Sequence, residues 1–269
     1  MSNPSTPKGW AKRLSAELLA IHGAERFPVD VERLALDYTK RHFDDPITKV
    51  VGEPLEDFEG GLFPSPSGKP RWLIAYNSAI PLKERLRYTV AHELGHYLLH
   101  RRPGEKILCR LQDMSIWRGE YQRREVEANR FAAGVLMPTD DYCRQVDGHP
   151  IDLELFRFCA DRYGVSLNPA ILEWLSFTPE LAILVRSLDG FIDWGVSSTP
   201  AFRNGAFFRT RGCPPRPVPE NSLAAQMGNE ASSGRREHPR GVWLPRFEVT
   251  EFAIASDRYD MTLSLLLLH

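Results

Sequence analysis

The chain has 269 residues, 42% of them hydrophobic and 26% charged, with a formal net charge of −1. That is enough apolar material for a sizeable core and for more than one domain, and a near-neutral chain with no long basic run carries no overall electrostatic footprint for nucleic acid. Cys109, Cys143, Cys159 and Cys213 form no CxxC pair and follow no secretory signal, and the longest apolar run, residues 265–268, is far too short to span a bilayer. These features predict free thiols in a soluble cytoplasmic protein.

Residues 10–21 and 29–39 read as two helices joined around Gly23 and Pro28, and residues 48–77 as a short β-region. Within it, residues 60–63 and 71–77 flank a Pro- and Gly-rich turn and predict a hairpin. The strand at 71–77 is then placed to offer its edge to an extended peptide, although an ordinary core strand is an equal reading.

After Pro81, apolar residues Leu82, Leu86, Thr89, Val90 and Leu94 recur at close to 3.6 residues, which predicts an amphipathic helix of about five turns. That helix carries His92-Glu93-Leu94-Gly95-His96. Two histidines four apart stack on one face about 6 Å apart and can grip one Zn²⁺, with Glu93 beside it as general base. A catalytic zinc site needs a third ligand. His100 lies about 12 Å up the helix axis from His92 and reads as a helix-end histidine. No Gly turn leads to a third His of the metzincin kind.

Residues 101–122 form a charged connection long enough to be a mobile flap. Downstream, Ala128, Phe131, Ala132, Val135 and Leu136 make a second helical stripe ending at Pro138, with small residues that permit close packing. Glu125 and Asn129 share a face of this helix. Glu125 is therefore expected as the third metal ligand and Asn129 as the group that holds a ligand imidazole from outside, with Glu127 as the alternative ligand or a solvated carboxylate. Tyr76, Tyr88, Tyr97, Tyr121, Arg101 and Arg102 are all near enough in sequence to stabilise an oxyanion.

The run Ala91-His92-Glu93-Leu94-Gly95-His96, followed by Glu125-Val126-Glu127-Ala128-Asn129-Arg130-Phe131-Ala132-Ala133 and Leu136-Met137-Pro138, resembles the ImmA/IrrE family of zinc metallopeptidases. The resemblance covers roughly residues 10–180. It implies a His, His, Glu zinc site with the HExxH glutamate as general base. It also implies a partner, a helix-turn-helix repressor cleaved to switch on mobile-element transfer or a DNA-damage response.

Residues 155–174 have the small residue, turn glycine and apolar positions of a helix-turn-helix pair, but residues 166–178 contain no Lys or Arg. Base and phosphate contacts depend on those side chains, so direct nucleic-acid binding is not expected. From 181 onward the chain turns β-rich: a hairpin at 181–195 around Asp189-Gly190, further strands at 206–210, 247–254 and 261–268, and a long surface loop over 212–241.

The expected fold is α+β, with a zincin-like metallopeptidase domain at 8–150, a helix-turn-helix-like pair at 151–180 and a β-rich C-terminal region at 181–269. The leading function is site-specific endopeptidase with Zn²⁺, or Mn²⁺ in its place. The alternative is a DNA-binding or protein-interaction regulator that keeps the fold without the activity.

Overall fold

The computed structural model describes residues 3–65, 70–110, 120–227, 232–256 and 261–269. The chain divides into two units, Met1–Asp147 with Phe158–Ser166, and Gly148–Arg157 with Leu167–His269.

In the first unit, α1 (Pro7–His22) begins where the Thr6 side chain accepts a hydrogen bond from the Gly9 amide at 3.1 Å and Pro7 supplies a pre-set first turn. Trp10, Leu14 and Leu18 form its buried stripe. Helix α2 (Val31–His42) is capped in the same way by Asp30. Strands β1 (Ile47–Glu53), β2 (Phe58–Pro64) and β3 (Trp72–Asn77) follow, then α3 (Lys83–His100), β4 (Ile107–Arg110), α4 (Glu120–Leu136) and α5 (Thr139–Val146).

The four strands make one sheet in the order β1-β3-β2-β4. The expected hairpin forms, with Leu62 opposite Ile74 in the antiparallel β2–β3 ladder. Of the two readings of 71–77, the ordinary core strand holds and the free edge does not. β3 is an inner strand, because β1 pairs with it in parallel on its other side. The edges of this sheet are β1 and β4. A parallel partner that precedes the hairpin leaves no local mark in the sequence, which is why the pairing is invisible there. The flap expected over 101–122 contains β4 and the start of α4; residues 111–119 lie outside the described residues.

Helix α3 differs from a half-buried amphipathic helix. Every residue from Thr89 through Leu98 is buried, because α2, α4, β2 and β3 all pack around it. The stripe expected on α4 is buried throughout: Ala128, Phe131, Ala132, Val135 and Leu136 are each 0% exposed. Small residues let the two helices approach. A Cβ at Gly95 would lie 2.9 Å from Phe131 Cδ1 and 3.2 Å from Ala128 Cα. Overpacking of this kind costs about 1–3 kcal/mol and the gain in helix propensity returns up to about 1, so Gly95→Ala is expected to destabilise the chain by about 1–2 kcal/mol. A lowered urea midpoint checks it.

Helix α6 (Leu153–Tyr163) spans the division between the units, and α7 (Leu167–Phe177) belongs to the second. In that unit, β5 (Ala182–Leu188), β6 (Phe191–Ser197), β7 (Arg216–Pro217), β8 (Ser233–His238), β9 (Val249–Ser256) and β10 (Met261–Leu268) form a sheet in the order β7-β6-β5-β10-β9-β8. Short helices α8 (Thr199–Arg203) and α9 (Leu223–Gln226) complete it. The β5–β6 hairpin turns at Asp189 and Gly190, both at positive φ, as the Asp-Gly pair predicts.

Two expectations here are corrected. Residues 206–210 are not a strand: Ala206 and Phe208 are buried, which mimics a strand's alternation, but the Ala206 amide bonds to Ala201 O at the end of α8. Residues 212–241 are not simply a loop, since they contain β7, α9 and β8. The cause is Glu251, fully buried on β9. It needs donors, and it finds them in the Leu223 and Ala224 amides, His238 Nε2, Trp243 Nε1 and Ser264 Oγ, at 2.8 to 3.2 Å. Satisfying that carboxylate draws the segment onto the sheet. Among the described residues, no helix is long and apolar enough to cross a membrane.

Candidate metal centre

One face of α3 meets one face of α4, and four residues of the first unit converge there. His92 Nε2 and His96 Nε2 lie 3.0 Å apart. Each lies 3.2 Å from an oxygen of Glu125, Oε2 for His92 and Oε1 for His96. Donors placed tetrahedrally about an ion at about 2.0–2.1 Å are separated by about 3.3 Å, so this triangle is close to the size a Zn²⁺ requires.

Hydrogen positions follow from the outer partners. His92 Nδ1 is 3.0 Å from Asn129 Oδ1, an acceptor, so Nδ1 carries the hydrogen and Nε2 its lone pair. On the other side, His100 Nε2 lies 2.9 Å from the Glu127 carboxylate and donates to it. Burial holds His100 below its ordinary range, so this imidazole is neutral and its Nδ1 is an acceptor. His96 Nδ1, 3.0 Å away, must then donate, which again leaves Nε2 bare. With both imidazoles neutral, two lone pairs and a carboxylate thus face one point with no hydrogen between them. That crowding calls for a cation.

A proton is the competing cation. Burial opposes charge on His92, but Glu125 and Glu93 more than offset it and raise its pKa; burial pushes His96 down to about 4. Burial also works to raise the Glu125 carboxyl, yet His92 and His96 hold it down at about 2.

Glu93 points into the same place but is not one of the grouped donors. It is 0% exposed, and burial pushes its carboxyl up to about 7. Room for it exists because β2 has no side chain at Gly60: a Cβ there would sit 3.2 Å from Glu93 Oε1 and 2.5 Å from Thr89 Cγ2. Opposite Gly60 on β4 is Cys109, buried, with Sγ 3.9 Å from Glu125 Oε1.

The structure therefore brings His92, Glu93, His96 and Glu125 together and sets Asn129 on His92. Glu127 is not in the triangle; it sits at the far end of the His96–His100 chain. His100, read from sequence as a helix-end residue, is the link in that chain; its spacing of four from His96 was the available signal. Cys109 had no local signal at all. Of the residues near enough in sequence to stabilise an oxyanion, Tyr97 and Arg101 are both engaged with Asp45, while the Tyr88 hydroxyl donates to Asn129 Oδ1 at 3.3 Å. Removing the acceptor with Asn129→Leu is expected to weaken metal affinity about 10–100-fold. A competition titration against a chromogenic chelator measures it.

Comparison with known proteins fits this geometry. Residues 43–171 match the Peptidase_M78 family, described as an IrrE N-terminal-like domain, and the matched span contains every residue of the cluster. A solved structure described as a Mycobacterium tuberculosis transcriptional regulator is similar in fold at a TM-score of 0.58 and 14% identity, over 96% of this chain and 76% of that one. No curated protein matches the chain. Residues 43–171, with the paired motifs on α3 and α4, are thus an IrrE N-terminal-like domain of the Peptidase_M78 family.

Proposed function

We propose that this chain is a zinc-dependent endopeptidase that makes a site-specific cut in a helix-turn-helix transcriptional repressor, as part of a stress or mobile-element switch in the cytoplasm. The observation that carries the reading is the close triangle of His92, His96 and Glu125 beside the fully buried Glu93. His92 and His96 through Nε2, and Glu125 through its carboxylate, would hold the ion. Zn²⁺ bound there, or Mn²⁺ in its place, supplies a Lewis acid that polarises a peptide carbonyl and makes water more acidic. Glu93 takes the proton from the attacking water and delivers it to the leaving amine. Asn129 and the His100–Glu127 pair fix the two imidazoles in the tautomer that ligation needs.

The zincin-like catalytic domain is proposed for residues 8–150, the helix pair at 151–180 and the β-rich region at 181–269 serving as cap or docking surface. The repressor as substrate rests on the family. A DNA-binding role is disfavoured, because α7 spends Ala170, Ile171, Trp174 and Leu175 on burial and carries no Lys or Arg. The test is incubation of the nearest-encoded helix-turn-helix repressor with the native chain and with Glu93→Gln, under added Zn²⁺ or Mn²⁺. The expected result is one cut by the native chain alone, with metal retained in both. Intact repressor with metal retained would overturn the substrate assignment.

A further inference from the structure

One group faces the triangle that the proposed function does not use. Cys109 is 7% exposed on β4, and its Sγ and the donor atoms of His92, His96 and Glu125 all lie within 4.8 Å of one another. A second observation marks the same spot: apart from the neighbouring Cys109 thiol, neither oxygen of the fully buried Glu93 has a hydrogen-bond partner among the described residues. The thiol and the Glu93 carboxyl thus sit together beside the triangle, and the thiol also reaches Glu125 Oε1 at 3.9 Å.

We propose that Cys109 is a fourth ligand in the resting protein, closing a His, His, Glu, Cys tetrahedron around the ion. This rests on the metal reading of the site. A thiolate at about 2.3 Å from Zn²⁺ would stand about 3.5 Å from the nitrogen and oxygen ligands, against the present 3.9 Å from Glu125 Oε1. Among the described residues β4 pairs with β2 alone, so the strand that carries the thiol is held from one side and can shift towards the ion. Thiolate is also a ligand that suits zinc over hard cations. Coordination exchanges the S–H bond for a metal–sulfur bond and releases the proton to solvent; no electrons are transferred.

The consequence is regulatory. Closed four-ligand centres are the structural type, whereas catalytic ones keep a position open. With Cys109 bound, the position needed by water and substrate is filled, and the enzyme is self-blocked until the thiolate leaves.

Cobalt distinguishes the outcomes. Metal-stripped native chain, Cys109→Ser and Cys109→Ala are titrated with Co²⁺ and followed by absorption, with circular dichroism to verify that each variant is folded. The expected result is one Co²⁺ bound by all three, and an intense near-ultraviolet thiolate-to-cobalt charge-transfer band in the native chain only. With Zn²⁺ restored, both variants should cleave substrate faster from the start of the reaction. Cobalt bound by the native chain without that band, or the band persisting in Cys109→Ser, would overturn the proposal and leave the three-ligand site standing. Failure of the native chain to bind cobalt would overturn both.

Discussion

Replacing Glu93 by Gln is expected to slow peptide hydrolysis by about 10²–10⁴-fold while leaving metal content unchanged. Gln keeps the shape of the side chain, whose Oε1 would lie 3.2 Å from a Cβ at Gly60, but it cannot accept the proton. The same change is expected to stabilise the metal-free protein at high pH. The folded carboxyl titrates at about 7 against 4.5 for the ordinary group, because burial penalises its charge. The folded state therefore holds the proton more tightly than the unfolded state. Stability is greatest below about 4.5 and is lost as pH rises through 7; the loss reaches about 3 kcal/mol by pH 8. Glu93→Gln removes that loss. Metal-free variant should unfold at a higher temperature than metal-free native chain at pH 8, with the gap closing towards pH 5. A variant that melts lower than the native chain at pH 8 would mark Glu93 as a structural carboxylate.

The second large effect separates two glutamates on the same helix. Glu125→Gln is expected to weaken metal binding by more than ~100-fold, beyond the ~10–100-fold typical of residues that only orient a ligand. Glu127→Gln should stay near the lower end of that range, about tenfold, because it loosens His100 and through it the His96 tautomer. In the native chain and in Glu127→Gln affinity should fall on acidification, since a proton on His92, favoured by Glu125 and Glu93, competes for the ion's place. Isothermal titration with Zn²⁺ at two pH values measures all of this. The reverse ranking, with Glu127→Gln losing the ion and Glu125→Gln keeping it, would exchange their roles.

What the sequence shows and what it hides divide along sequence distance. The α3 and α4 helices, the burial of Ala128, Phe131 and Ala132 against Gly95, and the β2–β3 and β5–β6 hairpins all rest on periodicity or on a turn within a few residues, and all are present. The position of β3 depends on a parallel partner beyond the hairpin, and the folding of residues 212–241 onto the sheet depends on the buried Glu251 that follows them. Neither has a local pattern to read. The site divides in the same way. His92, Glu93 and His96 are one motif, and the shared face of Glu125 and Asn129 is plain on a helical wheel. The His100–Glu127 link needs the helices docked. Cys109 reaches the triangle only because β4 pairs with β2 at Gly60, far back in the chain.

The measurement that tests the central claim most directly is zinc stoichiometry by elemental analysis after equilibrium dialysis, on native chain and on His96→Ala. The cluster on α3 and α4 predicts one zinc per native chain and none retained by the variant. Native chain without zinc, or equal zinc in both proteins, would contradict it.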